Sequence, residues 1–419
     1  MALPVGTGWL LHHGRDRPDD ALLAVLHRQL PETGSVWLAV QPPVRITADA
    51  TVAVIGALLG GPPHDVTGVR LIGSGSAAPG PASPVGTLAA RLGVDVLVPT
   101  GSLLFGPDGS LFVHGRAAGA DWRRFRADGR HDDLGSRLPA PAWDGAARLA
   151  AASRLPAAAV AEEIPAGLWL RSVPQDQADL GDLAYAIPAT GDRLRVLLGD
   201  AGTGHGRVPV DAVCALLRAL PVAVRRQAEL LPYGDPAGGP DLAAAVAAEL
   251  GEPVLVGCGV PTVERSGARS RRWVSARGEP TWEPFGRLLR FQPGSAEPEL
   301  VEAVPPVTGW PAAPGLSSWP LVPGWQVDAL PGGLWVRGAP ALRTAGPPEC
   351  TAVDPDRVVV VVGAPDVAVP SAVWSAVAAL LSRLPVPARQ RARVVVPQPA
   401  LGGPDLAVLA GWPVETLRS

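Results

Sequence analysis

The sequence contains no lysine and no asparagine, so all 36 of its basic side chains are arginines. Its formal net charge is -3, and the arginines do not form a basic run. A nucleic-acid-binding surface needs clustered cations that neutralise phosphates, so we expect no nucleic-acid partner. The longest apolar runs have the length of a strand and fall far short of the roughly 20 residues that a membrane-spanning helix needs. We therefore expect no membrane segment.

Cysteine is also scarce. Cys214, Cys258 and Cys350 form an odd set without the spacing of metal ligands, which excludes a disulfide framework and a zinc site. We expect no metal and no cofactor. The first residues lack both the basic start and the apolar core of a signal peptide, so we expect a cytoplasmic protein, with non-classical export left open.

Glycine and proline are abundant, with 49 and 48 copies in 419 residues, while 47% of the residues are hydrophobic. A chain of this length and composition predicts two or three globular domains that are rich in turns.

One pattern occurs three times along the chain. Each copy opens with a turn and a tryptophan-bearing strand, which reads PVGTGWLLHHG at Pro4, PAGLWLRSVP at Pro165 and PGGLWVRGAP at Pro331. On this alignment Trp9, Trp169 and Trp335 are equivalent. Recurrence of a unit of this size indicates tandem domains.

An apolar strand follows the tryptophan in each copy, beginning at Val36, Leu194 and Val358. Continuous Val and Leu runs are typical of strands that are buried on both faces of a parallel sheet. Two helices then alternate with two further strands. This order predicts an α/β fold of tandem three-layer domains with mostly parallel sheets, helices on both faces and right-handed crossovers.

The predicted domains span residues 1–140, 160–295 and 318–419. The third is incomplete, because it stops before the hairpin that follows the last parallel strand in the other two. We interpret the segments Arg126–Glu163 and Pro293–Pro320, which are rich in Pro, Ala and Gly, as linkers.

Ligands and catalytic groups of an open parallel sheet gather beyond the carboxyl ends of its strands. The first long strand of each copy ends at Gln41 and Pro42, at Asp200, or at Ala364. The second ends at Ser74, Tyr233 or Pro397.

The GSGSA loop at Gly73, the VLVPTG strand, the GPDGSLF hairpin and the pair of Trp122 with Phe125 resemble caspase-like cysteine peptidases of the caspase-hemoglobinase fold. They resemble a version of this fold found in large multidomain proteins of GC-rich bacteria. In that family one strand ends at the histidine base and another at the cysteine nucleophile. The resemblance implies a caspase-like fold in each copy, although flavodoxin-like folds share this topology.

No copy has both catalytic residues at the matching positions, so the resemblance implies a peptidase fold that lacks peptidase activity. A thiolate–imidazole pair needs both partners within hydrogen-bonding reach. Two candidate catalytic pairs remain: His205 with Cys258, and Ser74 with a histidine of the first strand, His12 or His13. The simpler interpretation makes Cys258 a core residue and Ser74 a turn residue.

We therefore expect a non-enzymatic scaffold or protein-interaction array of degenerate caspase-like repeats. Such an array could also serve as the non-catalytic part of a larger secreted or toxin-like protein. The expected partner is another protein, and the sequence leaves the oligomeric state open. The alternative is a cysteine peptidase or hydrolase that uses Cys258 and His205, or Ser74.

Overall fold

The computed structural model describes residues 1–13, 17–29, 34–41, 53–57, 66–73, 84–115, 120–156, 159–171, 179–200, 208–234, 239–264, 267–295, 297–311, 315–338, 353–365, 367–397 and 408–417. Within these ranges, every helix is too short or too polar to span a membrane.

The first part of the chain forms a seven-stranded sheet and a small three-stranded one. Its strands are β1 (Ala2–Val5), β2 (Gly8–Leu11), β3 (Ser35–Val40), β4 (Gly68–Ile72), β5 (Asp95–Pro99), β6 (Ser102–Phe105), β7 (Leu111–His114), β8 (Trp122–Phe125), β9 (His131–Asp133) and β10 (Arg137–Leu138). The helices are α1 (Asp20–Leu26) and α2 (Pro84–Leu92), and residues 53–57 are also helical. The first sheet has the order β1-β2-β3-β4-β5-β8-β9, and β10-β7-β6 form the small sheet.

The second part of the chain repeats this arrangement. Its strands are β11 (Val160–Ile164), β12 (Gly167–Arg171), β13 (Arg195–Leu198), β14 (Glu229–Pro232), β15 (Val254–Gly257), β16 (Val260–Val263), β17 (Arg269–Arg272), β18 (Gly286–Phe291) and β19 (Glu299–Ala303). The helices are α3 (Asp144–Ala151), α4 (Val210–Ala219), α5 (Val222–Arg225) and α6 (Gly239–Leu250), with a 3-10 helix at Leu183–Ala186. The second sheet has the order β11-β12-β13-β14-β15-β18-β19, and β16 pairs with β17.

The third part forms a six-stranded sheet. Its strands, in their order across the sheet, are β20 (Ser318–Val322), β21 (Trp325–Leu330), β22 (Gly333–Gly338), β23 (Val358–Val362), β24 (Ala392–Pro397) and β25 (Val414–Leu417). The helices are α7 (Ser371–Arg383) and α8 (Val386–Arg389).

All three sheets share one pairing pattern. An antiparallel hairpin is followed by three parallel pairs, for example β12-β13, β13-β14 and β14-β15 in the second sheet. In the first two sheets two antiparallel pairs follow. The predicted α/β class with several domains and parallel central strands is confirmed.

The second sheet has two differently covered faces because strand side chains alternate. On its helix face, strand residues such as Leu168 and Leu230 pack with α4 and α6. On its opposite face, Trp169 and Leu197 pack with the 3-10 helix. The first sheet is covered in the same way, with α2 on its helix face and α1 on its opposite face.

The two connections that leave β12 and β13 have opposite hands. Both advance across the sheet in the same direction, yet the 3-10 helix lies on one face and α4 on the other. The expectation of uniformly right-handed crossovers is therefore wrong for one of them. The right-handed preference comes from packing a helix back onto twisted strands, and the described part of the first connection holds only a single 3-10 turn.

The hairpin of β6 and β7 is a layer shared by two sheets. Leu103 and Val113 pack on the opposite face of the first sheet. Their neighbours Leu104 and Phe112 pack on the opposite face of the second sheet. The alternation of side chains thus lets one hairpin bury apolar surface on both sides, and the first two sheets form one packed body.

The two predicted linkers are largely structured, so that interpretation is wrong. The segment Arg126–Glu163 contains β9, β10 and α3, and Pro293–Pro320 contains β19. These strands have only two to five residues and lie among Pro and Gly, so their sequences carry little periodicity.

The predicted equivalence of Trp9 with Trp169 and Trp335 is wrong by one residue. The strands β2, β12 and β22 each begin with a glycine, and that glycine is the first residue of the strand to pair with the next strand. The three pairs are Gly8–Trp37, Gly167–Arg195 and Gly333–Val359. Leu10 therefore matches the two later tryptophans, and Trp9 packs on the helix face. A shift of one residue moves a side chain to the other face of a sheet.

A buried arginine, Arg137 of β10, joins the first two sheets. Its guanidinium donates to the carbonyl oxygens of Pro165 at 3.0 Å and Gly167 at 2.7 Å, within the turn that begins the second sheet. It also pairs with the buried carboxylate of Asp144, and it lies 5.0 Å from the ring of Trp143. One guanidinium therefore provides hydrogen-bond donors for two carbonyl oxygens of the turn between β11 and β12.

We expect the substitution Arg137→Met to lower the free energy of unfolding by about 3–5 kcal/mol, because it leaves a buried carboxylate without its cation. Urea unfolding monitored by circular dichroism measures the loss. The matched control is Arg130→Met, since Arg130 pairs with Asp128 on an exposed turn and its loss should have no measurable effect. Equal stability of the two variants would contradict this role of Arg137.

Candidate functional site

The carboxyl ends of the parallel strands in the second sheet hold a cluster of aromatic and charged side chains. We call it the exit cluster; its members are Glu162, Trp169, Arg171, Asp182, Tyr185 and Tyr233. They come from β11, from β12, from the residue directly after β14, and from the 3-10 helix with the residue before it. This is where an open parallel sheet normally places ligands and catalytic groups.

Trp169 lies at the centre of the exit cluster. Its ring is perpendicular to those of Tyr185 and Tyr233, with centroids 6.2 and 5.9 Å away. Its indole N–H donates to the carbonyl oxygen of Gly199, at the end of β13, at 2.6 Å. Gly199 has φ +91, a conformation that favours glycine, and this turn presents its carbonyl to the indole.

The polar atoms of the exit cluster bind one another. The Tyr185 hydroxyl donates to one carboxylate oxygen of Glu162, and Arg171 donates to the other. The Tyr233 hydroxyl donates to Asp182 at 2.7 Å. The guanidinium of Arg171 also lies 4.3 Å from the Trp169 ring. Paired in this way, the buried groups avoid the cost of lost hydration.

Burial is the main cause that raises the pKa of both tyrosines above its ordinary value. For Tyr185 the hydrogen bond to Glu162 adds to this effect, and for Tyr233 the negative charge of Asp182 does so. Both hydroxyls therefore stay protonated and act as hydrogen-bond donors at neutral pH. In this state they support packing and hydrogen bonding, not general-base chemistry.

The small sheet packs against the cluster from one side. His114, at the end of β7, lies edge-on to Tyr185 with ring centroids 5.4 Å apart. Phe112 of the same strand belongs to the apolar core around Trp169 and Tyr233. Side chains of β7 therefore pack against the described residues of the exit cluster.

The third sheet repeats the centre of this arrangement. The Trp335 indole N–H donates to the carbonyl oxygen of Gly363 at 2.9 Å, and the guanidinium of Arg337 lies 5.1 Å from its ring and pairs with Asp328. Asp328 pairs with Trp335 across two strands, as Glu162 does with Trp169. The first sheet has Leu10 in place of the tryptophan.

A second buried charged group lies at the amino ends of the strands in the second sheet. The fully buried Glu229 forms an ion pair with Arg271, with 2.6 Å between Nη2 and Oε1, and its Oε2 atom accepts a hydrogen bond from Arg195 at 3.5 Å. Burial lowers the pKa of the Arg195 guanidinium. A Cβ atom at Gly257 would overlap the Glu229 carboxylate, so this group also requires a glycine on β15. The ion pair of Arg271 with Glu229 joins the β16–β17 hairpin to the second sheet.

Of the predicted catalytic residues, Cys258 is described. It is 2% exposed and lies in the apolar core on the helix face, and its N–H donates to the carbonyl oxygen of Arg287 at 2.9 Å. Burial raises the pKa of its thiol to about 12. A nucleophilic cysteine needs a lowered pKa and access to substrate, so Cys258 has the properties of a core thiol.

His205, the proposed partner of Cys258, lies outside the described residues. Ser74 and Cys350 also lie outside them. The two catalytic pairs therefore stay predictions. His12 is buried, and its Nδ1 atom lies 3.0 Å from the carbonyl oxygen of His13. Among the described side chains, no group of three His, Cys, Asp or Glu residues is arranged to hold a metal ion.

The sequence reasoning singled out Asp200 and Tyr233 as strand-exit residues but missed Glu162, Asp182 and Tyr185. One signal was available, because Tyr185 and Tyr233 are the only two tyrosines of the chain. A scarce residue type that occurs twice near strand ends is a reason to ask whether the two side chains meet. Their contact with Trp169 required the tertiary structure.

We expect the free energy of unfolding to fall as the pH rises above about 9, because Cys258, Tyr185 and Tyr233 resist ionisation only in the folded chain. A raised pKa means that the unfolded chain releases its proton first. The stabilisation is therefore complete below the unfolded pKa and is lost as the pH rises towards the folded pKa. Urea unfolding between about pH 8 and about pH 10.5 measures the slope, which Tyr233→Phe should reduce. A stability that stays constant over this range would contradict the assignment.

No protein-family model matches the chain, and the search of curated proteins returned no match. Among solved structures, the chain is similar to the crystal structure of a carbon-nitrogen hydrolase from Helicobacter pylori G27, with 12% identity. The comparison covers 57% of this chain and 79% of that chain, at a TM-score of 0.14. A score this low carries no argument about fold or chemistry.

Proposed function

We propose that the chain is a non-enzymatic scaffold whose α/β units present surfaces to protein partners. The exit cluster of the second sheet carries this proposal. In the second copy, Asp200 and Tyr233 occupy the strand-end positions where a caspase-like peptidase would have its histidine and its cysteine. Beside them, Trp169 and Tyr185 fill the space with side chains that bind one another.

A binding array benefits from fixed distances between its units. The packing between the three sheets supports such fixed distances. Arg137 and the β6–β7 hairpin hold the first sheet against the second. The second and third sheets share one continuous apolar core, in which Trp282 donates its indole N–H to the carbonyl oxygen of Asp354 at 3.3 Å. Such packing would hold surfaces on different units at fixed positions relative to one another, so that one partner can contact several of them.

The enzyme alternative makes a different demand on Cys258. With a pKa of about 12, roughly one thiol in ten thousand is ionised at about pH 8. A peptidase based on this residue would first have to expose and ionise it. Degenerate strand ends combined with intact cores therefore favour a scaffold that has kept the fold.

The test treats the folded chain with a peptidyl epoxide, which labels catalytic cysteines, and with a fluorophosphonate, which labels catalytic serines. Cys350→Ser removes the third thiol, so Cys214, which is also buried, becomes the internal control for Cys258. We expect neither probe to label the folded chain, and we expect iodoacetamide to alkylate both thiols after denaturation. Stoichiometric labelling of Cys258 or Ser74 that disappears in His205→Ala or His12→Ala would overturn the proposal.

A second measurement addresses binding directly. Proteins cross-linked to the chain in the producing cells are identified by mass spectrometry, and their affinity is then measured with purified components. We expect the triple variant Ser74→Ala, His205→Ala, Cys258→Ala to retain that affinity, since none of these residues contributes to a scaffold surface. Loss of partner binding in the folded triple variant would support the enzyme alternative instead.

A further inference from the structure

The amino end of the third sheet carries four arginines. Arg383 is the last residue of α7, Arg389 is the last residue of α8, Arg391 directly precedes β24, and Arg393 is the second residue of that strand. Other residues separate them in the sequence, so they do not form a basic run. Arg383 is exposed, and the other three are half-buried. We call these four residues the arginine patch.

Hydrogen bonds fix the positions of two of these guanidinium groups. Nη1 of Arg389 donates to the carbonyl oxygen of Ser382 at 3.0 Å, beside Arg383 at the end of α7. Nη1 of Arg391 donates to the carbonyl oxygen of Pro387, in α8, at 3.2 Å. Carbonyl groups at a helix end attract cations, but they do not neutralise a full charge. A guanidinium has five N–H donors, so both arginines keep N–H groups for a further partner.

The described acids of the third sheet do not neutralise the patch. Asp354 pairs with Arg357 at 3.5 Å. Glu415 of β25 is exposed, and its partner in the ladder is Val395. Across all the ranges that the structure describes, no carboxylate forms an ion pair with any of the four arginines. The arginine patch therefore has no counter-charge within these ranges.

The second sheet has a matching stretch of sequence. Residues 220–229 read LPVAVRRQAE, and residues 384–393 read LPVPARQRAR. Each stretch forms a short helix that leads into a central strand, β14 or β24. In the third sheet, Arg391 and Arg393 stand where the second sheet has Gln227 and Glu229. The amino end of the third sheet is therefore more basic at these two positions.

Carboxylates neutralise the arginines around the matching stretch of the second sheet. Arg225, at the end of α5, pairs with Glu252 at 2.8 Å. Arg218, near the end of α4, pairs with Glu249 at 3.0 Å. This fold can therefore neutralise arginines at the amino end of a sheet with its own acids, and the described acids of the third sheet do not do so.

An exposed apolar side chain accompanies the arginine patch. Val386, the first residue of α8, lies between Arg383 and Arg389 in the sequence and is 52% exposed. Pro385 before it is exposed as well. The counterpart of Val386 in the second sheet, Val222, is 48% exposed. The two valines thus differ in the charge around them and hardly in their exposure.

The composition of this surface favours an acidic protein segment over a nucleic acid. Proteins that bind nucleic acid strongly make about 6–10 phosphate contacts, whereas the patch offers four cations at one edge. Val386 offers an apolar contact, which a phosphate backbone does not use. Protein interfaces combine an apolar centre with a polar rim, and Val386 with the arginines beside it has this composition.

We propose that the arginine patch binds an acidic segment of a partner protein, in which Asp or Glu residues flank an apolar side chain. The proposal rests on the protein-binding function proposed above and names one surface and one ligand chemistry for it. The guanidinium groups donate to the carboxylates of the segment, in the charge-assisted hydrogen bonds that arginine forms best. The apolar side chain of the segment packs on Val386.

The test measures binding of a fluorescein-labelled peptide, EDDLDEE, to the full chain by fluorescence anisotropy. We expect saturable binding that weakens as salt is added, because exposed charges are screened. Arg383→Glu should weaken it by about tenfold or more. The matched control is Arg226→Glu, an exposed arginine of the matching stretch whose replacement changes the net charge equally. This control should leave binding unchanged, and circular dichroism with the melting temperature establishes that each variant is folded.

The paired valines give a second test, which separates a specific contact from net charge. Val386→Asp should weaken binding of the peptide as strongly as Arg383→Glu, while Val222→Asp should leave it unchanged. The peptide EDDSDEE, which lacks the apolar side chain, should bind about threefold more weakly.

Three outcomes would overturn the proposal. They are the absence of peptide binding, equal weakening by the third-sheet variants and their second-sheet controls, and tighter binding of a labelled oligothymidylate than of EDDLDEE. The last result would assign the arginine patch to a nucleic acid.

The two proposals fail separately. If partner proteins cross-linked to the wild-type chain remain bound to Arg383→Glu and Val386→Asp with unchanged affinity, the scaffold function stands and the arginine patch is excluded as its surface. If the peptide binds as described but the electrophilic probes label Cys258 or Ser74, the patch is a binding site on an enzyme.

Discussion

The buried guanidinium of Arg137 is the interaction on which the arrangement of the first two sheets depends. It donates to the carbonyls of the turn that begins the second sheet and pairs with the carboxylate of Asp144. A buried cation with this many partners tolerates little displacement, since each lost contact would leave a polar group unpaired in the interior. The β6–β7 hairpin is held in place beside it, which brings His114 against Tyr185 and closes the exit cluster.

That closure bears directly on function. In an open parallel sheet the carboxyl ends of the strands form the usual binding site, because loops diverge there and leave a crevice. Here Trp169 and the two tyrosines occupy the described part of that space, and their hydrogen bonds are made within the protein. The same tryptophan, arginine and acid recur in the third sheet, where Trp335 contacts the carbonyl of Gly363. The recurring feature is therefore a packing arrangement of a tryptophan, an arginine and an acid beside the strand ends.

The outer edges of the first two sheets are protected against further strand addition. In the first two sheets the fourth parallel strand is covered by an antiparallel strand whose phenylalanine enters the core. The edge strand β9 that follows in the first sheet carries Asp132 and Asp133, which pair with arginines of β8. Charged pairs of this kind discourage further strand addition.

The sequence by itself determined the α/β class and the main elements, since the Val358–Val362 run and the helical spacing around Val210 are local signals of burial and period. It also identified Cys258 and Tyr233 as residues near strand ends. Only the tertiary structure decided which face each side chain occupies, because a shift of one residue separates Trp9 from the position of Trp169. It also decided that Tyr185 meets Glu162 and that Arg137 meets Gly167. These contacts join residues that are far apart in the chain, and their energy depends on burial and register, which local sequence patterns do not encode.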